Sequence, residues 1–194
     1  YTAGMQVSYQ PGVLTGLATH QALAAGFPVG ERFHSAPVIR LADARPMQLG
    51  HAVTADGRWR LFAFAPAEDP AEPDSAIRRL CGFLADDPAS PLRFNRLGDD
   101  PDAQIDLRAV LQQGFREVDL RGLPPLLLPK VGALGLVDHE KAFCADPAQD
   151  IFDLRRIDRT TGALVIVRPD QHVAHVLPLS ATDELAAFFA GFLL

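Results

Sequence analysis

Two cysteines, Cys81 and Cys144, are the residues with which this sequence could do redox chemistry. Disulfide exchange needs two thiols in one turn, at a helix N-terminus that lowers a thiol pKa. These two lie far apart and belong to no Cys-x-x-Cys or zinc pattern. Cys81 falls on the apolar stripe of a predicted helix. Cys144 stands in Lys-Ala-Phe-Cys-Ala between apolar neighbours, so both read as buried small hydrophobes. The six histidines are His20, His34, His51, His139, His172 and His175. His139-Glu140 opens like a zinc-protease motif, but Phe143 occupies the place of the second histidine. His172 and His175 are three apart in a predicted strand, so they point to opposite faces and share no metal. No Gly-x-Ser-x-Gly elbow surrounds any serine. Asp99-Asp100 is a carboxylate pair in a Gly/Pro/Asp-rich loop, which reads as solvated. Neither GxGxxG nor GxxxxGK[ST] occurs. Gly132-x-x-Gly135 is the nearest run, and it lacks the strand-to-helix context that lets a glycine loop cradle phosphate. The residues thus give no catalytic, cofactor-binding or metal position.

Composition narrows the classes further. The chain has 194 residues, of which 48% are hydrophobic, enough for one large domain or a domain with an arm. A net charge of −6 argues against a nucleic-acid surface, which needs a basic excess. Lys130 and Lys141 are the lysines; the other cations are arginines scattered among Asp and Glu, the pattern of a solvated surface. The longest apolar stretches, Leu123–Pro129 and Leu185–Leu194, fall far short of the roughly 20 residues that span a bilayer. No basic start followed by an apolar run suggests a signal peptide. With the sparse cysteines, this fits a cytoplasmic protein. A first residue Tyr1, not Met, hints at a piece of something longer.

The elements that would position side chains follow from pattern. Residues 1–50, broken by Pro11-Gly12, Gly26, Pro28, Gly30, Pro37 and Pro46, read as an extended arm with short strands near Met5–Tyr9 and Val38–Leu41. Residues 51–194 read as one domain. Asp56-Gly57 has the form of a hairpin turn. After it Trp59, Leu61, Ala63 and Ala65 alternate with Arg58, Arg60, Phe62 and Phe64, apolar on both sides as in a central strand. Asp74 can cap a helix carrying Ile77, Leu80, Cys81 and Leu84. Ile105–Leu111 is a second strand. Gly122–Lys130 holds three prolines, which exclude helix and central strand and predict an extended, largely buried segment. Asp146-Pro147 reads as a helix start. Ala163–Val167 and His172–Leu177 form a hairpin. Ser180, with Asp183 three residues on, would cap a last helix whose core stripe is Leu185, Phe188, Phe189 and Phe192. Its other side, Ala187, Ala190, Gly191 and Leu194, is small and apolar, and no charge follows Glu184. The order β-α-β-loop-α-β-β-α is that of an α/β, thioredoxin-like fold: a mixed central sheet with helices on both faces.

Beyond pattern, particular runs carry a likeness. Asp150-Ile-Phe-Asp-Leu-Arg-Arg-Ile-Asp158 and Thr161-Gly-Ala-Leu-Val-Ile-Val-Arg-Pro-Asp-Gln-His-Val-Ala174 resemble the end of the phenol hydroxylase family of FAD-dependent aromatic monooxygenases. Asp138-His-Glu-Lys-Ala-Phe-Cys144, Val176-Leu-Pro-Leu179, Gly30-Glu-Arg32, Ala36-Pro-Val-Ile-Arg40 and Ala55-Asp-Gly-Arg58 are similar to its bacterial 3-hydroxybenzoate 4-hydroxylase branch. The likeness runs from Tyr1-Thr-Ala-Gly4 across nearly the whole chain. It implies a parent with an FAD domain, a substrate-covering domain and a thioredoxin-like third domain tied to dimerisation; this chain matches the third. It implies FAD and NADPH in the parent and neither here, catalytic residues elsewhere, and as partners the parent's other domains and a second copy. Nucleic acid and membrane are not expected. The rivals are a free-standing thioredoxin-fold thiol oxidoreductase and an interaction module that borrowed this domain.

Overall fold

A computed structural model describes residues 7–96 and 100–193. Among the described residues nine strands and three α-helices follow in chain order: β1 (Pro37–Arg40), β2 (Arg45–Gln48), β3 (Trp59–Phe64), α1 (Ala76–Asp86), β4 (Ile105–Leu111), β5 (Lys130–Val131), β6 (Leu136–Val137), β7 (Ala142–Ala145), α2 (Ile151–Leu154), β8 (Ala163–Val167), β9 (Val173–Leu177) and α3 (Thr182–Ala190). Seven strands form one sheet in the order β2-β1-β7-β4-β3-β8-β9, and β5-β6 is a separate hairpin. β3 runs parallel to β4, and β4 parallel to β7; the remaining pairs are antiparallel. The run β4-β3-β8-β9 is the thioredoxin-like core that the element order implied. Helices cover both faces.

Alternation on β3 explains the two-sided core. Trp59, Leu61 and Ala63 meet Ile105, Leu107 and Ala109 of β4 and the apolar faces of α1 and α3. Phe62 and Phe64 point the other way, with Phe143, Val165, Ile151 and Phe152. The segment before residue 50 supplies β1 and β2 to the same sheet and Ala24, Phe27, Val38 and Leu49 to this second core. Phe33 is stacked between Phe27 and Phe62, 4.7 Å from each ring. The same segment lies along β9: Gly30 N–H donates to Val173, Val173 N–H to Glu31, Phe33 N–H to Gln171 and Gly16 N–H to Ala174. One sheet edge is thereby covered rather than left open.

Several local expectations are corrected. Met5 and Gln6 of the expected first strand lie outside the described residues; Val7–Tyr9 is not a strand, and the turn at Pro11-Gly12 ends any extension. Asp56-Gly57 turns, with Gly57 at φ +82°, but joins no hairpin, because β2 pairs with β1 and a 3-10 turn at Leu49–Ala52 carries the chain away first. The α1 cap is Ser75, whose hydroxyl accepts from Arg78 N–H, not Asp74. α2 is capped by Asp150, which accepts from Phe152 N–H; Asp146-Pro147 only turns. No side chain caps α3, where Ala181 holds the cap position. The proline-rich segment is not extended: 3-10 turns occupy Leu120–Gly122 and Pro125–Leu127, the second with proline at its tolerated first position. Leu123 and Leu127 are nevertheless buried in the first core.

Candidate functional site

A thioredoxin-type active site lies where the first core strand gives way to its helix. Here β3 leads into Ala65-Pro66-Ala67-Glu68, held by the Gln112 and Gln113 side-chain amides, which donate to the carbonyls of Ala65, Ala67 and Glu68. The thiols are elsewhere. Cys81 faces the sheet from α1, and Cys144 is fully buried in β7. Burial pushes both up to about 12, so neither forms thiolate near neutral pH.

The histidines disperse. His20 Nε2 sits 3.2 Å from the Glu184 carboxylate at the start of α3. His172 is buried edge-on to Tyr9, with a ring separation of 4.9 Å. His175 packs against Phe188 at 5.5 Å, and burial lowers its basicity. His34 is half-buried; His51 and His139 are exposed. Among the described residues no three His, Cys, Asp or Glu side chains come together as metal ligands.

Charge gathers instead at the N-terminal ends of the parallel strands. The β3–β4 register sets Asp106 beside Arg60, and Arg108 projects on the same side two residues on. Lys141, just before β7, is only 1% exposed, and its ammonium reaches Asp102 at 2.6 Å and Asp106 at 2.7 Å. Asp106 also meets Arg108 at 2.8 Å. A few of the charges that read as solvated surface form here a network centred on the buried Arg60, Asp106 and Lys141. Burial works against ionised Asp106, but Lys141 and Arg108 outweigh it and hold its carboxyl below the usual range. At Asp102 burial wins and Lys141 offsets only part, so that carboxyl is lifted. Burial also opposes Asp56, yet hydrogen bonds from Arg60 and the Arg58 N–H bring it down to about 2. Asp100 pairs with Arg58 at 2.7 Å, whereas Asp99 lies outside the described residues. Apart from Lys141, the paired groups border a cleft of about 810 Å³ beside the β5-β6 hairpin, which contains Gly132 and Gly135. Most charged groups in the cleft's walls are ion-paired within the domain, an arrangement that rigidifies strand ends. The alternation Asp106-Leu107-Arg108 inside an apolar strand was the signal for it.

With no thiol chemistry at the thioredoxin position, the comparisons with known proteins decide the family. A family model described as the phenol hydroxylase C-terminal dimerisation domain matches residues 7–194. The chain belongs to that family. It is 56% identical over its full length to a 3-hydroxybenzoate 4-monooxygenase of Comamonas testosteroni, covering 31% of that protein. It is 29% identical to the FAD-dependent monooxygenase terD of Aspergillus terreus, covering 32%. The chain thus spans about a third of the length of these curated relatives. Among solved structures, a thioredoxin-like protein from Bacteroides caccae aligns with TM-score 0.51 and 10% identity over 82% of this chain and 48% of that one, a likeness of fold alone.

For a phenol hydroxylase dimerisation domain the informative features are surfaces. Two exposed apolar groups stand out. Val7, Tyr9, Val13, Leu14 and Leu17 run along the N-terminal segment, and Leu134, Leu136 and Val137 form the β5-β6 hairpin.

Proposed function

We propose that this chain is the non-catalytic C-terminal domain of an FAD- and NADPH-dependent aromatic hydroxylase of the phenol 2-monooxygenase or 3-hydroxybenzoate 4-monooxygenase type. It serves stability and homodimer assembly of a cytoplasmic enzyme, with the parent's FAD and substrate domains as its other partners. The observation that carries this reading is the dimerisation-domain match along residues 7–194, in a chain that covers about a third of its monooxygenase relatives. Ring hydroxylation needs a flavin, and the cofactor supplies the hard chemistry while protein groups orient it. Residues for that task belong to the remaining two-thirds of such a parent. Buried, poorly acidic Cys81 and Cys144 tell against the rival thiol oxidoreductase.

The test is purification of this chain alone. It is expected to be colourless, to bind neither FAD nor NADPH, and to leave NADPH unoxidised with 3-hydroxybenzoate present. Flavin co-purifying at near-stoichiometric amounts contradicts the reading.

A further inference from the structure

Charged residues make up 22% of the chain, yet residues 1–30 contain no Asp, Glu, Lys or Arg, and none follows Glu184. Within the described residues the N-terminal segment reaches the start of α3, and it reaches the β9 histidine that packs on α3. His20 contacts Glu184 on α3. Gly16 lies so close to the His175 ring that a Cβ there would fall 2.2 Å from it, and His175 in turn packs on Phe188 of α3. Ala187, Ala190 and Gly191 of α3 are exposed, as are Val13 at 68% and Leu17 at 64%. A lone surface loop and helix would normally carry ionic side chains facing water. Around this region the charges stand at the border. Arg168 lies over the Tyr9 ring at 4.3 Å and donates to the Thr15 hydroxyl, its charge met by Asp170 at 2.7 Å, and Asp183 and Glu184 hold the first turn of α3.

We infer that this surface, the 7–17 segment together with the outer side of α3, is the seat of a second copy of the chain. The inference rests on the dimerisation reading and adds the face. A two-fold interface sets a patch against its own copy, so charge of one sign near the axis repels itself. A patch without charge, bordered by ionic groups, satisfies that condition and has the charge-depleted centre and polar rim of protein interfaces. The β5-β6 hairpin is also uncharged between Lys130 and Asp138, but its run of residues 131–137 is far shorter than that of residues 1–30. Ala187, Ala190 and Gly191 add the small side chains that let a second backbone approach.

The experiment uses the full-length protein and reads its oligomeric state by sedimentation velocity across a dilution series. Wild type is expected to be a dimer. Val13→Glu with Leu17→Glu, and separately Ala190→Arg, should each weaken association by about 100-fold or more, with flavin content and thermal unfolding unchanged. Leu134→Glu with Leu136→Glu should dimerise as wild type does. A dimeric wild type whose 13/17 and 190 variants associate undiminished overturns this face while leaving the dimerisation reading intact. Variants that stay dimeric but shed flavin place the flavin-bearing part of the parent on this face and equally overturn it. A monomeric wild type removes the dimerisation reading and this inference with it.

Discussion

The charged end of the parallel strands and the uncharged β9 side are opposite solutions to the same problem, how to finish a sheet. At the first, Lys141, Asp102, Asp106, Arg60 and Arg108 are drawn into the protein and answer one another. At the second, the N-terminal segment lies over β9 with main-chain hydrogen bonds and then turns Val13, Leu14 and Leu17 outward. The cleft pairs most of its charges within the domain, whereas the surface without any turns apolar side chains to solvent and is the one on which we place a second copy.

The sharpest way to break this contrast is at Lys141. If the network is a closed unit, Lys141→Met leaves buried Asp106 and half-buried Asp102 without their shared cation and should cost about 3–5 kcal/mol in urea unfolding. A loss near zero would mean the cleft is solvated and the contrast is false. On the other side, Gly16→Val forces a side chain into the His175 ring. Overpacking of that kind should cost about 1–3 kcal/mol and loosen the segment, read as faster proteolysis within residues 7–20. Unchanged cleavage would show that the segment is not latched through His175.

Titration distinguishes the regions more gently. Asp56 is held at about 2, below the ordinary 3.8, so its contribution is fully present above 3.8 and disappears as pH falls through about 2. The stability gap between wild type and Asp56→Asn should therefore shrink from pH 6 to pH 2; a constant gap contradicts its pairing with Arg60. The thiols run the other way. Raised from 9.0 to about 12, they favour the fold below pH 9, an advantage lost as pH climbs toward 12. Cys81→Ala and Cys144→Ala should each flatten that alkaline decline. The smallest effect is expected at the hairpin tip. Leu134, 85% exposed, should tolerate Ser within about 0.5 kcal/mol of wild type.

Much of the core was legible because its signals are local. Ile105–Leu111 has the observed boundaries, β3 and α1 follow from alternation and helical spacing, and the expected hairpin of Ala163–Val167 with His172–Leu177 differs from β8-β9 by one residue at His172. β7 was missed because Ala142–Ala145 is four residues long, buried on both faces, and shows no alternation. The caps slipped by one to four residues because Asp, Ser and Pro cluster there, and only the folded backbone decides which oxygen meets a free N–H. The ion network required the β3–β4 register, a long-range fact. The covering of β9 by residues 16–33 rests on main-chain bonds, which side-chain pattern does not announce. The lack of charge in residues 1–30 was visible throughout, but it gains meaning only once Gly16 and His20 are seen against β9 and α3.

The central claim, that this domain assembles the enzyme rather than catalysing its reaction, is tested most directly by removing it. Full-length protein and a version truncated before residue 7 should be compared by sedimentation equilibrium and by bound flavin. The account predicts a flavin-bearing dimer for the first and a flavin-bearing monomer for the second. A truncated protein that keeps its flavin and remains as tightly dimeric as the full-length one would contradict it.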